Sequence, residues 1–140
     1  MKKIVLLSSV LLLSSCVSKL HWEQEDKMRA YKESNLAVEA KNPLIAIGLG
    51  VLPGGGSIYT GNYGYGAANI LMWPLSIAWD PISGYNGAQQ KNYEVTRARA
   101  KRLASNEVKD LEEQLSDNKI LPDDYLKQKR QIEDKYLVRF

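Results

Sequence analysis

The sequence holds one cysteine, one histidine and one phenylalanine in 140 residues. A single thiol excludes an intrachain disulfide and a cysteine-based metal cluster. The lone imidazole, His21, has no companion ligands and reads as a surface group. Without a second Cys or a His partner, nucleophilic and metal-assisted catalysis lack their components. Charge of one sign is also scarce, with 19 basic residues against 16 acidic ones. Recognition of a phosphate backbone needs a concentrated basic surface, so no nucleic-acid partner is expected. The one local excess, Arg97, Arg99, Lys101 and Arg102, reads as a solvated helix face. Charge is missing altogether from residues 43–79. The glycines there do not make a phosphate loop, because Gly56 and Ser57 follow Gly50-Val51-Leu52-Pro53-Gly54-Gly55 with no lysine to hold the phosphates. The acidic pairs Glu112-Glu113, Asp123-Asp124 and Glu133-Asp134 lie in charged segments. No apolar pocket is available there to raise a carboxyl pKa for general acid work. No catalysis and no small-molecule substrate are expected.

What is present begins with MKKIVLLSSVLLLSSC. Two lysines, an apolar run from Ile4 to Leu13 and the small residues Ser14 and Ser15 give the layout of a signal peptide over residues 1–15. A run of ten residues falls well short of the roughly 20 that a spanning helix needs. Leu13-Ser14-Ser15-Cys16 resembles the bacterial lipobox at all four positions. The resemblance implies cleavage before Cys16, a diacylglycerol thioether on its sulfur and an N-acyl chain on its new amino group, with no other cofactor. Two or more acyl chains make anchoring effectively stable. Removing Lys2 and Lys3 leaves 17 basic residues against 16 acidic ones, a nearly neutral mature chain. Val17 stands where an Asp, by the same resemblance, would favour inner-membrane retention. A cell-envelope membrane is therefore expected, with the chain facing the periplasm and the outer membrane favoured.

Residues 16–42 read as a lipidated N-terminus and a polar tether with partial helix, ending before Pro43. In residues 43–82 the Pro53-Gly54-Gly55-Gly56 break leaves two apolar arms, about 43–53 and about 64–79. The expected structure is a glycine-rich membrane hairpin of two helices, packed through Gly48, Gly50, Gly54, Gly55, Gly56, Gly61, Gly64 and Gly66. Asn69 should face the partner helix, Tyr59, Tyr63, Tyr65, Trp73 and Trp79 suit interfacial positions, and Asp80 before Pro81 should mark the interface. Lys41, the Gly-rich turn, Tyr59-x-Gly61, Gly64-Tyr65-Gly66 and Trp79-Asp80 together resemble the TM-two domain over roughly residues 41–82. That family is a short two-helix membrane hairpin.

Residues 83–140 are charged. Ala100, Ala104, Val108, Leu111 and Leu115 recur every three or four residues and predict one helix face over 86–116. Asn118-Lys119 makes a turn, Pro122 opens a second helix at its permitted first position, and Asp123 and Asp124 suit its first turn. Tyr125, Ile132 and Tyr136 give that helix a facing stripe. The run from Val108 through Ile120-Leu121-Pro122-Asp123-Asp124-Tyr125 to Ile132 resembles the short C-terminal SHOCT family. The resemblance implies a small helical hairpin that mediates association.

These readings converge on an all-α protein: signal peptide, polar tether, short glycine-rich membrane helical hairpin, then a long amphipathic helix plus a C-terminal helix. The expected function is that of a structural or protein-binding envelope lipoprotein. Its partners would be membrane lipids and either a second copy or another envelope protein, with Leu111, Leu115, Ile120, Tyr125 and Ile132 forming the association face. An interference lipoprotein that blocks a receptor or entry channel, and a small oligomeric pore built on the glycine-rich arms, are the alternatives.

Overall fold

The computed structural model describes residues 19–137, so the signal segment and Cys16 lie outside the described residues. Everything regular among those residues is helical: α1 (Trp22–Glu33), α2 (Pro43–Leu49), α3 (Gly55–Tyr59), α4 (Tyr63–Leu71), a 3-10 turn (Leu75–Ala78), α5 (Asp80–Ser116) and α6 (Pro122–Tyr136). The chain divides into two compact units. Among the described residues, one holds residues 19–21 together with Glu39–Asn92, and the other holds Trp22–Val38 with residues 93–137.

In the first unit, one expected arm holds α2, the other holds α4 and the 3-10 turn, and the expected break between them holds the short helix α3. Asn42 caps α2, its side chain accepting from the N–H groups of Leu44 and Ile45 at 2.9 and 3.2 Å, with Pro43 at the start of the helix, where the missing donor does no harm. Gly54, just before α3, takes a left-handed conformation, with φ of 69°, that residues with a Cβ rarely adopt, and turns the chain between α2 and α3. Gly61, with φ of 86°, separates α3 from α4 in the same way. Asp80, expected at an arm's end, instead opens α5, which begins six residues before the predicted start at Asn86 and runs for 37 residues. Close approach does the rest. A methyl group on Gly50 would lie 2.5 Å from Pro81 Cα, one on Gly56 2.9 Å from the Ala46 carbonyl, and one on Gly84 3.0 Å from Gly56 Cα. Backbones touch, so α2, α3 and the start of α5 pack without side chains between them.

The second unit is a helical assembly with apolar residues inside and charged residues outside. The segment read as a tether contributes α1, closed by Asn35 at φ 56°, with the Leu36 N–H returning to the Tyr31 carbonyl at 2.9 Å. That is a Schellman ending, and it sets Tyr31 fully inside, 1% exposed. Along α5, Ala100, Ala104, Val108 and Leu111 are buried, as their spacing predicts, and Ile132 and Tyr136 of α6 are buried as well. Asn118 ends α5 in the left-handed region, Lys119 N–H reaching the Gln114 carbonyl at 2.8 Å. Extended Leu121 then leads into Pro122 at the first helical position. Far from the turn, Glu107 fastens α6 to α5, accepting from Lys135 Nζ at 2.7 Å and from the Tyr136 hydroxyl at 2.6 Å.

Two outcomes follow for this unit. Placing charges in its interior with Leu111→Asp plus Ile132→Asp should destabilise it by about 3–5 kcal/mol or more. Circular dichroism would then show lost helicity, and unchanged helicity would refute the packing. The hydrogen bond from Lys135, followed by that from Tyr136, holds the Glu107 carboxyl below its ordinary value. Its contribution is therefore present above the unfolded carboxylate range, about 4.3, and is lost as pH falls through the depressed folded value. The pair is half-exposed and screened, so the melting temperatures of wild type and Glu107→Gln should differ modestly at pH 7 and converge as pH falls below the carboxylate range.

Candidate functional site

The first unit turns the usual distribution of residues inside out. Its interior is polar: Ser57 and Asp80 are completely buried, and Thr60, Asn69, Ser76, Ser83 and Asn92 are nearly so. Its exterior carries Leu44, Val51, Leu52, Leu71, Trp73 and Leu75, each more than half exposed, with Leu71 reaching 86%. Period-based reasoning places apolar residues inside because it assumes water outside. Here the same spacing holds with the sign reversed.

Asp80 is the centre of that interior. Its Oδ1 accepts from the Ser57 hydroxyl at 2.6 Å and from Asn69 Nδ2 at 2.6 Å. Asn69 Nδ2 also lies 3.1 Å from Ser57 Oγ, and Asn69 Oδ1 accepts from the Trp79 indole N–H at 2.9 Å. Four side chains from α3, α4 and the start of α5 thus share one network, while Asp80 Oδ2 is buried without a partner among the described residues. The expectation that Asp80 marks an interface is corrected by its complete burial; Asn69 faces inward as expected. Ser57 and Asp80 touch, but a serine nucleophile needs a base that can take and return its proton and an opening for a substrate, whereas this hydroxyl is sealed in. The arrangement joins helices.

The unit also has a polar end. Asn92 grips the backbone of Lys41, accepting from its N–H and donating to its carbonyl, both at 2.8 Å. The Asn42 N–H donates to the Tyr59 hydroxyl at 3.1 Å, and the Lys41 ammonium stands 4.5 Å from the Tyr59 ring centre, a cation–π contact. Asn62 Nδ2 donates to Thr60 Oγ1 at 3.0 Å, and a methyl on Gly87 would meet both of these side chains within 2.9 Å. The entry to α2, the turn between α3 and α4 and the α5 backbone at Gly87–Asn92 therefore lie together. The turns after α2 and α4 lie elsewhere, with Val51, Leu52, Leu71, Trp73 and Leu75 exposed on them.

No protein-family model, curated protein or solved structure matches this chain.

The residues singled out from sequence fall into three groups. Gly50, Gly54, Gly55, Gly56 and Gly66 lie in close backbone or side-chain contact, whereas Gly48, Gly61 and Gly64, expected at packed surfaces, face open space. Leu111 and Ile132 are buried, while Leu115, Ile120 and Tyr125 are half-buried, the Tyr125 hydroxyl donating to Glu112 at 3.4 Å. Cys16 lies outside the described residues. Sequence reasoning missed Ser57, Gly84, Gly87, Asn92 and Thr96. The usable signal was Asp80, the only charge between Lys41 and Lys91, because a solitary carboxyl in an apolar stretch needs hydrogen-bond donors and Ser57 and Asn69 are among the few available. In the second unit, an open groove runs between α5 and α6, lined by Glu107, Asp110, Leu111, Gln114, Gln128, Gln131, Ile132 and Lys135. Among the described residues, no three His, Cys, Asp or Glu side chains are grouped to hold a metal ion.

Asn69→Leu removes two donors and the acceptor of Trp79 at once. Leaving buried partners unsatisfied at about 1–3 kcal/mol each, it should lower stability by about 2–4 kcal/mol in thermal unfolding. An unchanged transition would show that the network carries no stabilisation.

Proposed function

We propose that this chain is an envelope lipoprotein held at a membrane by acyl chains on Cys16 and by the apolar exterior of its first unit. Its charged second unit serves as a structural or protein-binding module without catalysis. The reversed distribution of the first unit carries this reading. An exposed apolar surface of this extent, wrapped around a polar, glycine-packed interior, is unfavourable against water and favourable against lipid tails, where polar groups gain by turning inward. The lipobox at Leu13–Cys16 supports the same location from an independent part of the chain. For the second unit, the groove between α5 and α6 combines an apolar floor at Leu111 and Ile132 with charges of both signs at Glu107, Asp110 and Lys135. That combination suits a helix from a second copy or from another envelope protein, and the SHOCT-like pattern of residues 108–132 points the same way.

The test is intact mass with membrane fractionation of the full chain beside Cys16→Ala. The native protein should lose residues 1–15, gain acyl mass and sediment with membranes. Cys16→Ala should lack the acyl mass and hold to membranes only through the first unit, so that adding Leu52→Asp and Leu71→Asp releases it. An unmodified native mass together with recovery in the soluble fraction would overturn the reading.

A further inference from the structure

Resting on the membrane reading above, we infer that the first unit enters a single leaflet, apolar end first, and does not cross the bilayer. Three observations lead there. The first is length. At 1.5 Å per residue, α2 with seven residues and α4 with nine reach about 10 and 14 Å, against a hydrocarbon core of about 30 Å and a single leaflet of about 15 Å. No helix among the described residues is long and apolar enough to cross a membrane.

The second observation is polarity along the unit. Its polar end gathers Lys41, Asn42, Thr60, Asn62 and Asn92 through the contacts described above, and Lys91 adjoins it in sequence. The opposite end is reached along α5. Asn92 binds Lys41 at one place, and Pro81 meets Gly50 about 16 Å away along the helix axis, where α2 terminates. Beyond Gly50 the turn exposes Val51 and Leu52, and the turn after α4 exposes Leu71, Trp73 and Leu75. The tip of a spanning hairpin must emerge into water or headgroups, yet these turns carry no charge. Hydrocarbon is the medium that suits them. The polar turn at 60–62, by contrast, returns to the side on which the chain enters.

The third is the anchor. Leu20 is buried in this unit, and Cys16 stands four positions before it, a reach of about 14 Å at full extension. That is too short to cross the core, so an acyl chain on Cys16 and the wedge must occupy the same leaflet. A turn pushed through to the far side would also have no Lys or Arg to hold it there, since residues 42–79 contain none. A single-leaflet wedge needs none.

The experiment uses the full lipoprotein, whose acylated Cys16 is unreactive to maleimides, in phosphatidylethanolamine–phosphatidylglycerol vesicles of known orientation. Single cysteines replace Leu52 or Leu75 at the apolar end, Asn62 at the polar end, and Asn118 in the second unit as a sidedness marker, and an impermeant maleimide is applied from each side. The expected result is that Asn62→Cys labels from the same side as Asn118→Cys, while Leu52→Cys and Leu75→Cys label from neither side until detergent is added. Labelling of Leu52→Cys or Leu75→Cys from the side opposite Asn118→Cys would overturn the inference in favour of a true span. Labelling of both from the same side as Asn118→Cys would show that the unit is not inserted, sinking the membrane reading itself. Should those variants misfold, Trp22→Phe gives the same decision, because it removes the exposed tryptophan of the second unit and leaves Trp73 and Trp79 of the first as the emitters. Trp73 is exposed at the apolar end, so emission should be quenched more by phospholipids brominated deep in the acyl chains than by aqueous acrylamide. Stronger quenching by acrylamide would reverse the conclusion.

Discussion

A carboxylate with both of its hydrogen bonds on one oxygen governs how the first unit is assembled. Asp80 cannot remain buried unless donors come to it, and the donors it finds, Ser57 and Asn69, stand on two other helices. Helices of five and nine residues have almost no stability alone. Here they are held by a shared acceptor and by glycines that let their backbones meet. In surroundings of low dielectric such a network is strengthened, and an incomplete one is penalised more heavily. Trp79 extends it outward by giving its indole N–H to Asn69, so even an aromatic side chain in this unit has its polar edge directed inward.

The second unit rests on different physics. Its core is alanine, valine, leucine, isoleucine and tyrosine against a charged exterior, and its turns follow familiar rules: asparagine in the left-handed region after α1 and α5, proline at the start of α6. Burial pushes the Tyr31 hydroxyl up from its usual range, with neighbouring Tyr93 adding to the effect and Arg97 opposing it. At neutral pH that tyrosine is a neutral packing element. One chain thus has its apolar residues facing outward in one unit and inward in the other.

That contrast explains what the sequence revealed. The all-helical class, the buried face from Ala100 to Leu111, the turn at Asn118 and the opening of α6 at Pro122 were legible because the second unit obeys the water-facing rules on which those patterns depend. The first unit was legible only in outline. Its uncharged stretch and glycines showed that something unusual occupies residues 43–79, but arms over about 43–53 and 64–79 were expected where the helices stop at Leu49 and Leu71, and the expected break holds a further short helix between left-handed Gly54 and Gly61. Asp80 was misread as a boundary because a carboxyl beside proline at the end of an apolar run suits a surface; its donors lie 23 and 11 residues back, at separations no local pattern encodes. The helix in residues 22–33 was underestimated because its stability comes from burying Tyr31, a tertiary effect.

The link between α1 and α2 carries a further consequence. Asn92 occupies both the N–H and the carbonyl of Lys41, and Thr96, one turn further along α5, takes the Val38 N–H at 2.9 Å and reaches its carbonyl at 3.5 Å. In each case a side chain stands in for a neighbouring β-strand. A non-helical stretch with free backbone groups is where a foreign strand can add and where cross-β aggregation can start. Here the ladder positions at 38 and 41 are already filled from within, so a chain without strands among its described residues leaves little there for another chain to pair with.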